Sequence, residues 1–180
     1  MTPMNQSSDE SISQSLTIRN AEPSDAALIV RFIRALAEYE REPDAAVVTE
    51  ADILRDGFGP NPKFHVLIAE WGREPAAFAF YFFVYSTWEG RPGLFLEDLF
   101  VIPELRRHGV GRALMQRLAQ IALANNCYGM GWHVLDWNEP AIRSYEAIGA
   151  TFADDWRIMR LKGDALHRLA EEKQSAAVSK

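Results

Sequence analysis

The sequence is most informative at Leu99-Phe100-Val101-Ile102-Pro103-Glu104-Leu105-Arg106-Arg107-His108-Gly109-Val110-Gly111-Arg112. An apolar, strand-like run ends at Pro103, a basic turn with two glycines follows, and residues 109–124 have the apolar spacing of a helix. The first turn of a helix has backbone N–H groups without intrahelical partners and carries partial positive charge. Because glycine lets a ligand approach these groups closely, the pattern predicts a phosphate or pyrophosphate site.

This turn belongs to neither of two common nucleotide-binding motifs. It lacks the Gly-Lys-Ser/Thr ending of a P-loop and the third glycine of a dinucleotide fingerprint. Its residues also fit a plain helix start, with glycines used for packing and arginines in solvent. On this segment alone, both interpretations stand.

Composition narrows the class of protein. The 180 residues are 48% hydrophobic and carry a formal net charge of −6, which fits one acidic globular domain. Acidic proteins are poor general binders of nucleic acid or anionic membrane, so we expect neither partner. Cys127 is the one cysteine of the sequence, which excludes an internal disulfide and fits the cytoplasm. His65, His133 and His167 have no metal-ligand spacing, and no metal is expected.

The order of predicted elements indicates one α/β domain. Residues 1–15 are predicted to be a disordered leader with no signal-peptide pattern, residues 16–170 a folded domain, and residues 171–180 a flexible tail. Strands first cluster and then alternate with helices, which predicts a mixed sheet covered by helices. The predicted strands are residues 16–19, 64–70, 76–85, 94–101, 130–136 and 156–161, with a turn at 90–93. The predicted helices begin at Ser24 as N-cap, near Thr49, at about Gly109, after Asn138, and shortly before the tail.

Several segments resemble one enzyme family. Residues 106–111, RRHGVG, match the Gln/Arg-x-x-Gly-x-Gly/Ala signature of the GNAT superfamily of N-acetyltransferases. DILRDGFG at 52–59, FLEDLFV at 95–101 and WNEPAIRSY at 137–145 resemble the spermidine/spermine N-acetyltransferase group of that superfamily. The resemblance covers roughly residues 16–170. It implies the GNAT fold, with a mixed, mostly antiparallel central sheet, helices on both faces, and a splayed cleft that binds acetyl-CoA.

The resemblance also implies which residues bind acetyl-CoA, the cosubstrate. The strand residues Leu99, Phe100 and Val101 would face the pantetheine arm, and Asn138 would contact the cofactor beside the splayed strand. The pyrophosphate would lie against a turn made by Arg106, Arg107, His108, Gly109, Val110, Gly111 and Arg112. For His108, a solvated turn residue is an equally ordinary interpretation.

Acetyl transfer to an amine requires proton transfer. An amine with a pKa of about 10.4 must lose its proton before it attacks, which costs roughly 4.6 kcal/mol at pH 7. A carboxylate that takes this proton, directly or through water, lowers the barrier. Glu97 is the predicted base, because the resemblance places its strand beside the cofactor. Strand alternation turns Asp98 to the opposite face unless a bulge re-aims it.

The leaving thiolate needs a proton donor. The resemblance implies that Tyr145 lies near the thioester sulfur, where its phenol would supply the proton. Ile142 and Ile148 are nearby in the sequence, so Tyr145 also fits a core aromatic. Cys127 has no evident activating partner and is interpreted as a packing residue.

An acceptor site is implied by the same resemblance. Tyr39, Glu40 and Trp88 match positions that line the acceptor site of polyamine acetyltransferases, although they also fit helix-end and loop residues. The acidic residues that would recognise a cationic chain are Glu40, Glu97, Asp98 and Asp155. Ser86 stands where the resemblance predicts an acidic residue, which weakens the case for long polyamines. Diamines, lysine or ornithine analogues and other primary amines therefore remain as small-molecule acceptors.

Two other functions fit the sequence. One is acetylation of a protein lysine or N-terminus, which would need an open peptide groove. The other is a non-catalytic acyl-CoA-binding module, against which Glu97 and Tyr145 argue. The resemblance further implies a homodimer in which residues 156–161 are paired or exchanged between subunits.

Overall fold

A computed structural model of the protein describes residues 16–172. The predicted leader and most of the predicted tail lie outside these residues. The described chain forms two compact units, which divide between His133 and Val134. The first unit contains β1 (Leu16–Asn20), α1 (Ala26–Tyr39), α2 (Glu50–Gly57), β2 (His65–Trp71), β3 (Glu74–Ser86), β4 (Arg91–Val101), α3 (Val110–Ala124) and β5 (Met130–Trp132). The second contains α4 (Glu139–Glu146) and α5 (Asp164–Glu171).

The first unit is built on a five-stranded sheet with the strand order β1-β2-β3-β4-β5. The first four strands are antiparallel to their neighbours, and β5 is parallel to β4. Pairing of β4 with β5 ends at Leu96 and Trp132, whereas β4 continues to Val101. The sheet is therefore mixed, mostly antiparallel and splayed between β4 and β5, as predicted.

Helices cover both faces of this sheet, which confirms the predicted layers. On one face, Phe32 of α1 stacks on Phe78 of β3 with the ring centroids 5.4 Å apart. The buried core on this side comprises Ala26, Ile29, Val30, Phe32, Ile53, Val66, Ile68, Phe78 and Phe100. On the other face, a Cβ placed at Gly111 of α3 would lie 3.6 Å from Val101. Because successive strand residues face opposite ways, Phe100 and Val101 face different helices.

The predicted start of α2 is confirmed. The Thr49 hydroxyl accepts a hydrogen bond from the Asp52 backbone N–H at 3.2 Å, and the Asp52 carboxylate accepts one from the Thr49 N–H at 3.0 Å. This reciprocal cap satisfies two N–H groups that a helix end leaves without partners.

The start of α1 differs from the prediction. Ser24 is not the N-cap, because residues 23–25 form a 3-10 turn and α1 begins after Asp25. The Asp25 carboxylate accepts hydrogen bonds from Arg19 and from the Glu22 N–H, both at 2.7 Å. The hydrogen bond from Arg19 lowers the pKa of Asp25. This ion pair links the turn to β1, and α1 begins after Asp25 instead of after Ser24.

Three other predictions, two of boundaries and one of a strand, are wrong. The β3–β4 turn lies at residues 87–90, because residues 91–93 pair with β3. The strand β5 ends at Trp132, before the predicted residue 136, because it diverges from β4. Residues 156–161 form no strand in the described chain, since a strand needs a hydrogen-bonded neighbour. Among the described residues, no helix has the length and apolar character needed to cross a bilayer.

Candidate active site

The turn between β4 and α3 exposes the N-terminal end of the helix. Gly109 is the N-cap of α3 with a φ of 83°, and no side chain caps the helix there. Glycine adopts this left-handed conformation without the steric cost of a Cβ. A Cβ placed at Gly109 would meet no heavy atom within 4 Å. The turn therefore leaves open space above N–H groups that no capping side chain occupies, which is the arrangement that an anion needs.

The rest of this turn is held by local contacts. Arg107 has a φ of 65°, a conformation that costs a non-glycine residue roughly 1 kcal/mol or more. The His108 Nδ1 lies 2.9 Å from the Arg106 carbonyl oxygen, and the His108 ring meets Trp71 edge-on with the centroids 5.9 Å apart. Strained backbone of this kind persists where surrounding contacts fix it, commonly at binding sites.

Arg106 extends towards α1. Its Nε donates a hydrogen bond to the Val101 carbonyl oxygen at 3.0 Å, and its guanidinium carbon lies 4.5 Å from the centre of the Tyr39 ring. Arg107 and Arg112 are exposed. Arg106 thus links the end of β4 to the end of α1, whereas the other two arginines extend into solvent.

A β-bulge lies at Glu97. In the β3–β4 pairing, Phe80 is opposite Asp98 and Tyr81 is opposite Leu96, so Glu97 has no partner on β3. An extra residue of this kind interrupts the alternation of side chains along a strand. Consequently Glu97 and Asp98, although consecutive, line the same cavity. The alternation that would place Glu97 and Asp98 on opposite faces is interrupted here. The bulge that Asp98 needs in order to share a face with Glu97 is present.

The cavity that Glu97 and Asp98 line lies in the first unit, has a volume of about 610 Å³, and combines carboxylates with aromatic walls. Phe64 stacks on Phe80 with the centroids 4.2 Å apart. The lining residues are Ile33, Ala45, Ala46, Val47, Val48, Asp52, Ile53, Asp56, Lys63, Phe64, Phe80, Phe82, Glu97 and Asp98. Such a surface suits a short alkyl chain that carries positive charge at its ends.

Asp98 has a perturbed ionisation. Burial, together with the nearby charges of Glu97 and Glu40, raises the pKa of Asp98 to about 7. Burial also raises the pKa of Glu40, at the C-terminal end of α1. Three carboxylates thus share one negative region, in which a bound ammonium group would favour the ionised form of Asp98.

The other four residues predicted for the acceptor site do not line this cavity. Tyr39 contacts Arg106, and neither Tyr39 nor Glu40 is among the residues that line the cavity. Trp88 lies in the β3–β4 turn and is 87% exposed. Asp155 is an exposed residue of a turn in the second unit.

Residues 29–150 match the Acetyltransferase (GNAT) family. The chain belongs to the GNAT acetyltransferase family. The family match extends across both compact units and includes the β4–α3 turn.

Similar proteins agree with this assignment. The chain is 40% identical to a thialysine N-epsilon-acetyltransferase of Sus scrofa, over 87% of this chain and 98% of that one. It is 38% identical to a human spermidine/spermine N(1)-acetyltransferase-like protein 1, over 86% of this chain and 24% of the longer human protein. Among solved structures, an integron cassette protein from the mobile metagenome of V. cholerae superposes with a TM-score of 0.75 at 26% identity, covering 89% of this chain and all of that one. The resemblance inferred from the motifs and the α/β GNAT fold are thereby confirmed, and the protein is an acyltransferase enzyme.

In the second unit of this GNAT enzyme, Asn138 and Tyr145 stand at the two ends of α4. The buried Asn138 is the N-cap, and its side-chain oxygen accepts a hydrogen bond from the Ala141 N–H at 3.4 Å. The carbonyl oxygen of the half-buried Tyr145 accepts hydrogen bonds from Ile148 and Ala150, both at 3.1 Å. Asn138 therefore has a structural role as a helix cap. The predicted roles of both residues in cofactor binding and catalysis stay predictions.

Of the 14 described residues that line the cavity of this acetyltransferase, only Glu97 and Asp98 were predicted from the sequence as site residues. Asp56, Lys63, Phe64, Phe80 and Phe82 were not predicted as site residues, yet all line the cavity with Glu97. One available signal is the row of phenylalanines at alternate positions 78, 80 and 82 of β3, which places large rings on one face. In the described part of the enzyme, no group of three or more His, Cys, Asp or Glu residues is arranged to hold a metal ion.

Proposed function

We propose that this GNAT enzyme transfers the acetyl group of acetyl-CoA to the primary amine of a small cationic acceptor. The observation that supports this most directly is the pair of carboxylates, Glu97 and Asp98, in an aromatic-walled cavity on the strand that leads into the β4–α3 turn. The names of two similar proteins, a thialysine N-epsilon-acetyltransferase and a spermidine/spermine N(1)-acetyltransferase-like protein 1, point the same way.

In this proposal the diphosphate of acetyl-CoA binds at the first turn of α3. The backbone N–H groups of residues 109–112 would donate to it, with Arg107 and Arg112 adding positive charge at the rim. The pantetheine arm would follow residues 99–101. Because β4 has no β5 partner beyond Leu96, its edge there is suited to hydrogen bonds with the amide groups of the arm. Acetyl-CoA supplies the acetyl thioester.

Glu97 takes the proton of the acceptor ammonium, directly or through one water. The neutral amine nitrogen then bonds to the acetyl carbon as the carbon–sulfur bond breaks, and Tyr145 gives its phenolic proton to the leaving sulfur. The acetylated nitrogen gives its surplus proton to the Tyr145 phenolate, directly or through water, and Glu97 releases the first proton to solvent. Asp98, which shares the cavity, holds the ammonium before deprotonation. Holding the amine against the thioester contributes further acceleration.

We assign the cavity lined by Glu97 and Asp98 as the acceptor cavity, and its lining suits a cationic substrate with an apolar middle. Carboxylates recognise ammonium groups, and the rings of Phe64, Phe80 and Phe82 pack against methylene groups and stabilise nearby cations. In this proposal Tyr39, Glu40, Trp88 and Asp155 contribute to the approach of the acceptor.

We further propose that the enzyme is a cytoplasmic homodimer with residues 16–170 acting as one catalytic domain. Support for the dimer comes from residues 156–161, where Trp156 is 72% and Met159 90% exposed. Exposed apolar side chains in a row are typical of protein interfaces. Sedimentation velocity would test the assembly.

The decisive experiment measures CoA release with 1,5-diaminopentane, lysine and lysine peptides as acceptors. Glu97→Gln should lower kcat by about 10²–10⁴-fold and leave the acetyl-CoA Kd unchanged, since the amide cannot accept the amine proton. Tyr145→Phe should lower kcat without changing that Kd. Glu74→Gln, which removes an exposed carboxylate at the start of β3, is the control and should retain activity.

Two results would contradict the proposal. Wild-type turnover in both Glu97→Gln and Tyr145→Phe would remove the assigned mechanism. A strong preference for lysine peptides over all free amines would favour protein acetylation.

A further inference from the structure

The acceptor cavity has a second polar region, formed by Lys63 and Asp56. The Lys63 Nζ lies 2.6 Å from an Asp56 carboxylate oxygen, just before β2 begins. Both residues line the cavity that also contains Glu97 and Asp98. One continuous space therefore joins an ion pair to the reacting carboxylates.

The sheet places the two regions apart. Phe64 follows Lys63 and stacks on Phe80 of β3, and Phe80 is opposite Asp98 of β4. The cavity thus extends from the segment just before β2, across β3, to β4. Two strand spacings, or about 9–10 Å, separate β2 from β4. Aromatic rings lie between the two polar regions.

The charges of the second region are of both signs. Lys63 is the one cation among the described residues that line the cavity, whereas Asp52, Asp56, Glu97 and Asp98 are acidic. The Lys63 side chain is 72% exposed, and an ammonium group has three N–H donors. One donor suffices for Asp56, so Lys63 retains capacity for a ligand anion. A carboxylate beside an ammonium is the complement of a zwitterion.

We propose that Lys63 and Asp56 bind the α-carboxylate and α-ammonium of a basic amino acid, whose side-chain amine is the group acetylated. This proposal rests on the proposed function and names its acceptor class. The head group would lie at Lys63 and Asp56, the methylene or thioether chain along Phe64 and Phe80, and the reacting amine at Glu97.

The dimensions and charges agree with such an acceptor. The six single bonds between the side-chain nitrogen and the carboxylate of lysine span about 7–8 Å when extended. This length is shorter than the separation of about 9–10 Å between β2 and β4, so an extended lysine side chain lies within the cavity. A diamine lacks the carboxylate, so Asp56 could still bind its far ammonium but the Lys63 ammonium would gain no ligand anion.

The test compares lysine with 1,5-diaminopentane, which is lysine without the carboxylate. Lys63→Met should lower kcat/KM for lysine at least tenfold and leave kcat/KM for the diamine within twofold or raise it. Lys63→Arg should retain most activity towards lysine. Titration calorimetry of lysine into the protein should show the same loss of affinity in Lys63→Met.

Arg55→Met is the matched control. Arg55 also forms an ion pair with Asp56, but it is not among the residues that line the cavity. Its removal should leave the ratio of lysine to diamine activity unchanged. An equal change in that ratio from Arg55→Met would overturn the proposal, because the effect would then come from Asp56 electrostatics and not from ligand contact.

The failures of the two proposals are distinguishable. If wild-type enzyme acetylates the diamine and Lys63→Met changes both acceptors by the same factor, the head-group site is wrong while the amine acetyltransferase function stands. If wild-type enzyme acetylates neither amine, the proposed function itself is wrong. Circular dichroism of each variant confirms that a loss of activity is not a loss of fold.

Discussion

The β4–α3 turn and the acceptor cavity are built in opposite ways. The turn presents backbone N–H groups from one continuous segment, shaped by Gly109 in the left-handed conformation. The cavity presents side chains from α1, α2, β3 and β4 and from the segments before α2 and before β2. A site made of backbone depends on conformation and tolerates many side-chain changes. A site made of side chains depends on the register that brings them together, and each residue matters separately.

The largest expected effect tests the side-chain site. Because the pKa of Asp98 in the folded protein is raised from its ordinary value of 3.8 to about 7, the folded protein binds an extra proton between about pH 4 and 7. Stability therefore falls as pH rises through this window, and above pH 7 the full cost of the buried charge is present. Asp98→Asn should raise the free energy of unfolding by about 3 kcal/mol at pH 8, with little gain at pH 4.

Urea denaturation at the two pH values measures this difference. The exposed carboxylate Asp44 provides the control, since Asp44→Asn should give no pH-dependent gain. A gain from Asp98→Asn that is equal at pH 4 and pH 8 would show that burial of charge is not its cause.

A smaller effect, on acetyl-CoA affinity, is expected at the β4–α3 turn, where the proposed site is made of backbone groups. Gly109→Val should raise the acetyl-CoA Kd by about tenfold, because a β-branched residue at φ 83° costs roughly 1–2 kcal/mol. Gly111→Ala is the matched control, since its Cβ would lie in ordinary contact with Val101 at 3.6 Å and Leu99 at 3.9 Å. Fluorescence titration with acetyl-CoA compares the two, and a larger effect at Gly111 would contradict a backbone cradle at Gly109.

The smallest effect is expected at the arginines of the turn. Arg112 is exposed, and exposed charge pairs contribute less than about 1 kcal/mol. Arg112→Gln should therefore raise the acetyl-CoA Kd only about two- to threefold at low salt. At about 1 M salt the difference should vanish, because charges are screened within about 3 Å. A tenfold loss that persists at high salt would instead make the side chain, and not the backbone, the principal phosphate ligand.

The same contrast explains what the sequence could predict. The start of α3 and the caps at Thr49 and Asn138 depend on residues a few positions apart, so local chemistry was sufficient to locate them. The mixed sheet followed from the order of strands and helices together with the family resemblance.

The cavity could not be located in this way. Lys63 and Asp98 are far apart in the sequence and share a space only because β2, β3 and β4 pair in a particular register. The bulge at Glu97 leaves no local sequence signal, since it is defined by a residue missing from the opposite strand. The start of α1 was misplaced for a related reason, because the Arg19–Asp25 ion pair joins a helix end to a strand.

The bulge in β4 also reverses which side chains of the strand, odd-numbered or even-numbered, face each side of the sheet. Leu96 faces the same side as Tyr81, whereas Phe100 faces the same side as Phe78 in the α1 core. Before Glu97, the even-numbered residues of β4 therefore face one hydrophobic layer. After Glu97, the even-numbered residues face the other layer. Glu97 is the surplus residue that makes this exchange possible. The carboxylate proposed for chemistry thus occupies an insertion that neither hydrophobic layer requires, so selection could alter it without repacking the domain.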